Sequence, residues 1–137
     1  MTQEDKELLL KDLCGRLPYD VAINCKNDDS NYICYLTTDI INELKYNREY
    51  YEYKPYLFPL SSMTLEQKKE LCKVGGYETR EEDCGYHSET FYYNMVGREN
   101  VFYPDADDID WLNKNHFDYR GLIEKGLALK APDGMYN

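Results

Sequence analysis

Residues 104–132 have the sequence PDADDIDWLNKNHFDYRGLIEKGLALKAP and contain the only Trp of the chain and one of its two His. Asp105 is a good N-cap, because its carboxylate can accept hydrogen bonds from the free amides of a first helical turn. Asp107, Asp108 and Asp110 add negative charge to that turn, where the helix dipole favours it. We therefore predict a helix that begins directly after Asp105.

The same stretch has the spacing of a helix with one buried side. Ile109, Leu112 and His116 recur at intervals of three and four residues, and Trp111 and Phe117 flank them. This periodicity is typical of an amphipathic helix packed against a core. His116 then lies at the end of the helix, where a cation complements the dipole.

A second short helix is expected after the first. Asp118 can cap it, and Leu122 and Ile123 supply its apolar residues. Gly126 suits the left-handed position that closes a helix, because a residue without Cβ adopts that conformation at little cost. The two helices form a helical corner, and residues 127–131 follow it as a short apolar strand or a docked tail.

The chain begins with a further helix. Thr2 and Asp5 form a capping box, with Asp in place of the usual Glu. Leucines at helical spacing follow, which predicts a helix over residues 3–14 that ends at Gly15.

Two strands and an ambiguous segment come next. Residues 20–25 and 31–36 have strand composition around a polar turn, which predicts a β-hairpin. Residues 37–45, TTDIINELK, have Ile40 and Leu44 at helical spacing, but β-branched residues crowd their start. We expect a third strand here that continues the sheet.

The middle of the chain is first extended and then helical. Residues 46–57 form a tyrosine-rich segment. Pro55 near its end and Pro59 just after it favour non-helical backbone. Thr64 and Gln67 form a second capping box, which predicts a middle helix. The features expected after this box are an apolar helix side formed by Leu65, Leu71 and Cys72, a helix end at Gly75-Gly76, a loop over residues 78–87 and a strand over residues 90–96.

These elements together predict an α+β fold. A small antiparallel sheet is packed with an N-terminal helix, a middle helix and the C-terminal helical corner. The length of 137 residues is that of one domain, so we predict a single α+β domain over residues 1–137.

The chain carries 26 acidic and 16 basic side chains, for a net charge of −10. This charge argues against direct binding to nucleic acid, whose phosphates require a basic surface. The acidic excess is spread along the chain, which is typical of a solvated surface that keeps a protein soluble. The alternative is an acidic antagonist that occupies the basic cleft of a nucleic-acid-binding protein.

The expected location is the cytoplasm. The first ten residues include four charged side chains, and no window approaches the ~20 apolar residues that cross a bilayer. The five Cys are odd in number and have no tandem spacing, which favours reduced thiols. We therefore expect no signal peptide and no membrane segment.

Two segments resemble a known group of proteins. Residues 54–64, KPYLFPLSSMT, and residues 110–132, DWLNKNHFDYRGLIEKGLALKAP, are similar to small uncharacterised proteins of gut Bacteroidales and of their prophages and mobile elements. The resemblance covers about a quarter of the chain and carries no activity, substrate or catalytic residue. It implies an intracellular accessory protein of phage or mobile-element type.

Aromatic residues make up 15% of the chain, and 15 of them are Tyr. Tyr combines apolar area with a hydroxyl, and aromatic clusters are enriched at protein contacts. We therefore predict a binding or adaptor protein with a protein partner and a contact surface formed by Tyr50, Tyr51, Tyr53, Tyr56 and Phe58. The alternative is that these side chains cover a thin sheet.

A small metal-dependent hydrolase is the enzymatic alternative. Cys84 and His87 are spaced C-x2-H, and Cys72 and His116 complete the only plausible zinc set. Structural zinc sites usually have two such short spacings, and the second is missing. His116 and Asp118 could position a general base, but dipole and capping roles explain both residues. We therefore predict no metal site, no cofactor and no catalytic residue, and the oligomeric state stays open.

Overall fold

The computed structural model describes residues 1–46, 50–74 and 106–137. Their α-helices are α1 (Gln3–Arg16), α2 (Thr38–Lys45), α3 (Leu65–Val74) and α4 (Ala106–Lys114). Their strands are β1 (Ala22–Lys26), β2 (Asn31–Tyr35), β3 (Glu52–Pro59), β4 (Phe117–Asp118) and β5 (Leu129–Lys130). The predicted α+β class is confirmed.

The chain forms two compact units. The first consists of Met1–Phe58 and Arg120–Asn137, and the second of Pro59–Tyr119. α1, α2, β1, β2 and β5 belong to the first unit together with nearly all of β3. α3, α4 and β4 belong to the second. The expectation of a single domain stays a prediction.

The sheet of the first unit is built around β1. This strand pairs antiparallel with β2 on one side and with β3 on the other. β5 pairs with β3 in parallel, with Tyr56 beside Leu129, so the predicted antiparallel sheet gains one parallel pair. The predicted hairpin is confirmed, and Asn27 stabilises its turn because its Oδ1 accepts from the backbone N–H of Asp29 and Ser30.

One hydrophobic core holds the first unit together. Its buried side chains come from both helices, the sheet and the C-terminal segment: Leu9, Leu13, Val21, Ile23, Cys25, Leu36, Ile40, Leu44, Tyr53, Leu57, Leu122, Leu127 and Ala128. Burying one Leu or Ile side chain contributes about 1.5–3 kcal/mol, so a core shared by both ends of the chain closes the unit.

α1 is longer than predicted. The sequence placed its end before Gly15, but the helix continues through this glycine to Arg16. A glycine inside a helix costs only about 1 kcal/mol, and Arg16 directly after it pairs with Asp12 one turn earlier in the same helix. The helix then ends in the short 3-10 turn Leu17–Tyr19, which contains Pro18.

The strand predicted over residues 37–45 is wrong. The segment forms α2, whose N-cap is Thr37, because its hydroxyl accepts from the backbone N–H of Ile40 at 3.4 Å. Ile40 and Leu44 are buried one helical turn apart in the core. Tertiary burial of this face overrides the weak strand preference of the β-branched residues.

The predicted helix after Asp105 is confirmed as α4, although Asp105 itself lies outside the described residues. Trp111 and Leu112 of this helix are buried, as is Phe117 directly after it. The rings of Trp111 and Phe117 stack with centroids 5.8 Å apart and an interplanar angle of 9°. His116 is also buried and has a left-handed backbone with φ of 64°.

The prediction of a second short helix after Asp118 is wrong. Asp118 lies in β4, and residues 122–126 form a single turn. The left-handed conformation predicted for Gly126 is confirmed with φ of 73°, although this glycine closes a turn and not a helix; its N–H donates to Ile123 O at 3.1 Å. Leu127 N–H donates to Leu122 O at 2.9 Å, which completes the hydrogen bonds of a Schellman motif.

α3 begins at the predicted capping box. Gln67 N–H donates to Thr64 Oγ1 at 3.2 Å, and Thr64 N–H donates to Gln67 Oε1 at 2.8 Å. Leu71 is buried as expected, but Leu65 is 51% exposed, so its assignment to the apolar side is wrong. The predictions for Gly75-Gly76, the loop over residues 78–87 and the strand over residues 90–96 fall outside the described residues.

Candidate functional site

A cleft of about 720 Å³ opens in the first unit, and we call it the tyrosine cleft. Its lining combines residues from five parts of the chain: the first half of α1, the β1–β2 turn, Leu44 of α2, residues 50–54, and residues 125–127. Pockets that hold ligands usually measure about 300–1,000 Å³, so this cleft is large enough for several side chains of a bound segment.

Tyr50 and Tyr51 form one wall of the cleft. Tyr50 is 78% exposed, while Tyr51 is half-buried and contacts two other rings. Its ring meets Tyr32 edge-on with centroids 5.6 Å apart and lies 6.0 Å from Tyr53. Such ring pairs restrict side-chain rotation, so the ring of Tyr51 is held in place before any ligand arrives.

Core side chains lie beneath the cleft. They include the buried side chains of Leu9, Leu44, Tyr53 and Leu127. The Tyr53 hydroxyl donates a hydrogen bond to the carboxylate of Glu43 on α2. Burial and this acidic neighbour both raise the pKa of Tyr53, so its hydroxyl stays protonated at physiological pH.

Charged side chains of both signs surround the cleft. The cations are Lys26, Lys54 and Lys125, and the anions are Asp5, Asp28 and Glu52. Lys54 Nζ lies 3.2 Å from Glu52 Oε1. The backbone N–H of Thr2 donates to Asp5 and is the main reason that the pKa of Asp5 is lowered, with Lys125 as a smaller cause. Mixed charge favours a ligand that itself carries both signs.

The predicted aromatic set does not share one surface. Tyr50, Tyr51 and Tyr53 line the cleft, but Tyr56 and Phe58 do not. The burial of β3 alternates, and Tyr53 and Leu57 face the core while Tyr56 is only partly buried on the other face.

Tyr56 and Phe58 have structural contacts of their own. The Tyr56 hydroxyl donates to Asn24 Oδ1 at 3.4 Å, and the Phe58 ring lies 5.8 Å from the ring of Tyr136. The Tyr136 hydroxyl also donates to the backbone oxygen of Tyr56 at 2.6 Å. These contacts attach the C-terminal segment to β3.

Sequence reasoning did not find the other half of the cleft. Asp5, Lys125 and Leu127 lie on it although they are far from the tyrosine-rich segment in sequence. No local pattern marks such residues, because only the closure of the first unit brings both ends of the chain together. The left-handed Gly126 is the one signal that the sequence offered for a chain reversal here.

Only some of the residues considered for a metal-dependent hydrolase lie in the described part of the chain. Cys84 and His87 lie outside the described residues, and within the described part of the chain no three His, Cys, Asp or Glu side chains are grouped to hold a metal ion. His116 and Asp118 are both buried in the second unit. Arg120, in the first unit, has its Nε 3.3 Å from Asp12 Oδ1.

Comparison with protein-family models, curated proteins and solved structures gives no match. None of the helices in the described ranges has the length and apolar content needed to cross a bilayer.

Proposed function

We propose that the chain is a non-enzymatic binding or adaptor protein that holds a segment of a protein partner in the tyrosine cleft. The cleft itself carries the proposal, because it combines a highly exposed Tyr50 and a half-buried Tyr51 with charged side chains of both signs. Tyr side chains at protein contacts supply large contact area at a small cost in conformational entropy. The proposed setting is the cytoplasm of a bacterium, as a phage or mobile-element accessory protein.

The cleft favours a peptide segment as its ligand. An apolar residue of the partner can pack against the half-buried ring of Tyr51. The Tyr50 ring can then cover that residue, and the hydroxyl can bond the partner backbone. Lys125 and Glu52 line the cleft with opposite charges, and each can orient polar groups of the segment.

Site-specific photocrosslinking can identify the partner and its contact point together. A photoreactive phenylalanine analogue at Tyr50 is expected to capture one dominant protein from a Bacteroidales lysate, the source that the sequence resemblance implies. The same analogue at Leu65, which is 51% exposed on α3, is the control for nonspecific capture. Equal capture at both positions would contradict the proposal.

The captured partner is then titrated with tyrosine variants. Tyr50→Ser is expected to weaken binding by about tenfold or more, because central aromatic contacts dominate interface energies. Tyr46→Ser is the matched control, since Tyr46 is 59% exposed and does not line the cleft. The proposal fails if Tyr50→Ser and Tyr46→Ser bind the partner as tightly as the wild type.

A further inference from the structure

β2 is the edge strand of the sheet in the first unit, because it pairs with β1 alone among the described strands. Its sequence, Asn31–Tyr35 (NYICY), contains no charge, no Pro and no Gly. Edge strands are usually protected by Lys, Pro, bulges or a covering element, since their free backbone groups can pair with another chain. β2 has none of these sequence protections, and most of its residues are exposed.

The register shows which backbone groups of β2 are open. Asn27 N–H donates to Ser30 O and Leu36 N–H donates to Val21 O, at the two ends of the hairpin. Residues of an antiparallel pair alternate between hydrogen-bonded and non-hydrogen-bonded positions. The intervening residues Asn31, Ile33 and Tyr35 therefore direct their N–H and C=O groups away from β1, toward the open edge.

Two large apolar side chains of β2 lie beside these open backbone N–H and C=O groups. Ile33 is 54% exposed and Tyr35 is 64% exposed. They lie on the sheet face opposite the core, since Ile33 pairs with Asn24 and Tyr35 pairs with Ala22. A strand added at this edge would place alternate side chains next to them and would bury them in part.

The charges around β2 favour a basic segment over a second copy of the protein at this edge. Asp28 and Asp29 are exposed at one end of β2, Asp39 is exposed beyond the other end, and Lys26 offsets one of these charges. Two copies of β2 related by a two-fold axis would pair antiparallel and would bring Asp28 and Asp29 of one copy toward Asp39 of the other. A basic segment is attracted at both ends instead.

We propose that the β2 edge binds an extended segment of a partner protein, with basic residues at its ends and apolar residues between them, by strand addition. The segment exchanges backbone hydrogen bonds with Asn31, Ile33 and Tyr35, whose N–H and C=O groups point to the open edge. Its apolar residues contact Ile33 and Tyr35. This surface borders the tyrosine cleft, with which it shares Lys26 and Asp28, but the proposal does not depend on a ligand in the cleft.

The probe is a capped seven-residue peptide of alternating Lys and Val, titrated into isotope-labelled protein and followed by nuclear magnetic resonance. Saturable binding is expected, with slowed amide exchange at Asn31, Ile33 and Tyr35. Raising the ionic strength should weaken this binding, because exposed charges are screened. A peptide in which Glu replaces Lys should bind at least about tenfold more weakly.

Variants at Ile33 separate the backbone contribution from the side-chain contribution. Ile33→Pro removes an outward N–H that makes no bond to β1, and proline is tolerated on edge strands. It is expected to lower the affinity for the Lys-Val peptide by about tenfold, because a hydrogen bond to the added strand is lost and the proline ring blocks its approach. Ile33→Thr keeps the N–H and should retain more of the affinity than Ile33→Pro.

The chemistry of the peptide provides a test that does not require a proline variant to fold. N-methylation of every residue removes the backbone donors of both edges of the peptide without changing its charge, so binding to wild-type protein should be lost. Equal binding of the N-methylated peptide or of the Glu-Val peptide would overturn the proposal. Concentration-dependent dimerisation that Ile33→Pro abolishes would assign the edge to a second copy instead. Tyr50→Ser should leave peptide affinity unchanged, so this proposal and the cleft proposal fail separately.

Discussion

At the scale of single residues, the Asp12 carboxylate is a central charged group of the first unit. It accepts from Arg16 Nε at 2.6 Å and from Arg16 Nη2 at 3.1 Å, and Arg120 Nε lies 3.3 Å from it. The side chains of Asp12 and Arg16 are both 0% exposed. A buried charge is stable only when it is paired, so these contacts connect α1 to the C-terminal segment at Arg120.

Asp12→Ala should therefore destabilise the protein by about 3–5 kcal/mol, because the cation of Arg16 is left buried without its carboxylate. Urea unfolding followed by circular dichroism measures the change. The control is the double variant Asp12→Leu with Arg16→Met, which replaces both charges with apolar groups and should recover most of the stability. A loss below about 1 kcal/mol for Asp12→Ala would show that the pair is not important for stability.

At the scale of elements, two capping boxes of different chemistry start α1 and α3. In α1 the Thr2 hydroxyl accepts from Asp5 N–H at 3.0 Å, and the Asp5 carboxylate accepts from Thr2 N–H at 3.2 Å. In α3 the reciprocal partner of Thr64 is the neutral side chain of Gln67. Only the first box can respond to pH, because only its acceptor titrates.

Asp5→Ala should lower stability near neutral pH, because the bond from the Thr2 N–H to the Asp5 carboxylate is lost. This bond is the main reason that the pKa of Asp5 lies below its ordinary 3.8. The contribution of Asp5 is therefore present above that value and is lost as pH falls through the lower folded pKa. The stability difference between wild type and Asp5→Ala should shrink in acid, as measured by urea unfolding from pH 7 to pH 2.

Gln67→Ala is the matched control for this prediction, because Gln67 holds the position of Asp5 in the second box and does not titrate. Its cost should change little with acid pH. An equal acid dependence for both variants would show that the effect does not come from Asp5.

At the scale of the whole molecule, the first unit is closed by contacts between the two ends of the chain. The Tyr136 hydroxyl accepts from Ala22 N–H at 3.0 Å and donates to Tyr56 O at 2.6 Å, which fixes the C-terminal segment to β1 and β3. Burial raises the pKa of Tyr136 to about 12, and burial also raises the pKa of Cys25 to about 12. The same closure therefore makes the fold sensitive to alkali.

Stability should fall as pH rises from about 9 toward 12. The unfolded chain releases these protons near the ordinary values of 9.0 for Cys and 10.0 for Tyr, while the folded protein retains them to about 12. The stabilisation is thus complete below pH 9 and is lost as pH approaches the folded pKa values. Urea unfolding across this range measures the slope.

Tyr136→Phe removes one of the titrating groups and should reduce the alkaline slope, even if it lowers stability at neutral pH through the two lost hydrogen bonds. An unchanged slope in Tyr136→Phe would show that the Tyr136 hydroxyl is not responsible.

The sequence by itself determined the features that depend on neighbours within a few residues. Both capping boxes, the turn of the hairpin and the left-handed Gly126 were predicted correctly, because each involves bonds that span two to five positions. The α+β class followed from periodicity in the same way.

Only the tertiary structure decided the rest. Burial of Ile40 and Leu44 made residues 37–45 a helix, and the pleat of β3 placed Tyr53 and Tyr56 on opposite faces. The tyrosine cleft combines residues from both ends of the chain, so no local pattern could predict it. The physical reason is that burial and long-range pairing contribute more free energy than local preference wherever the two compete.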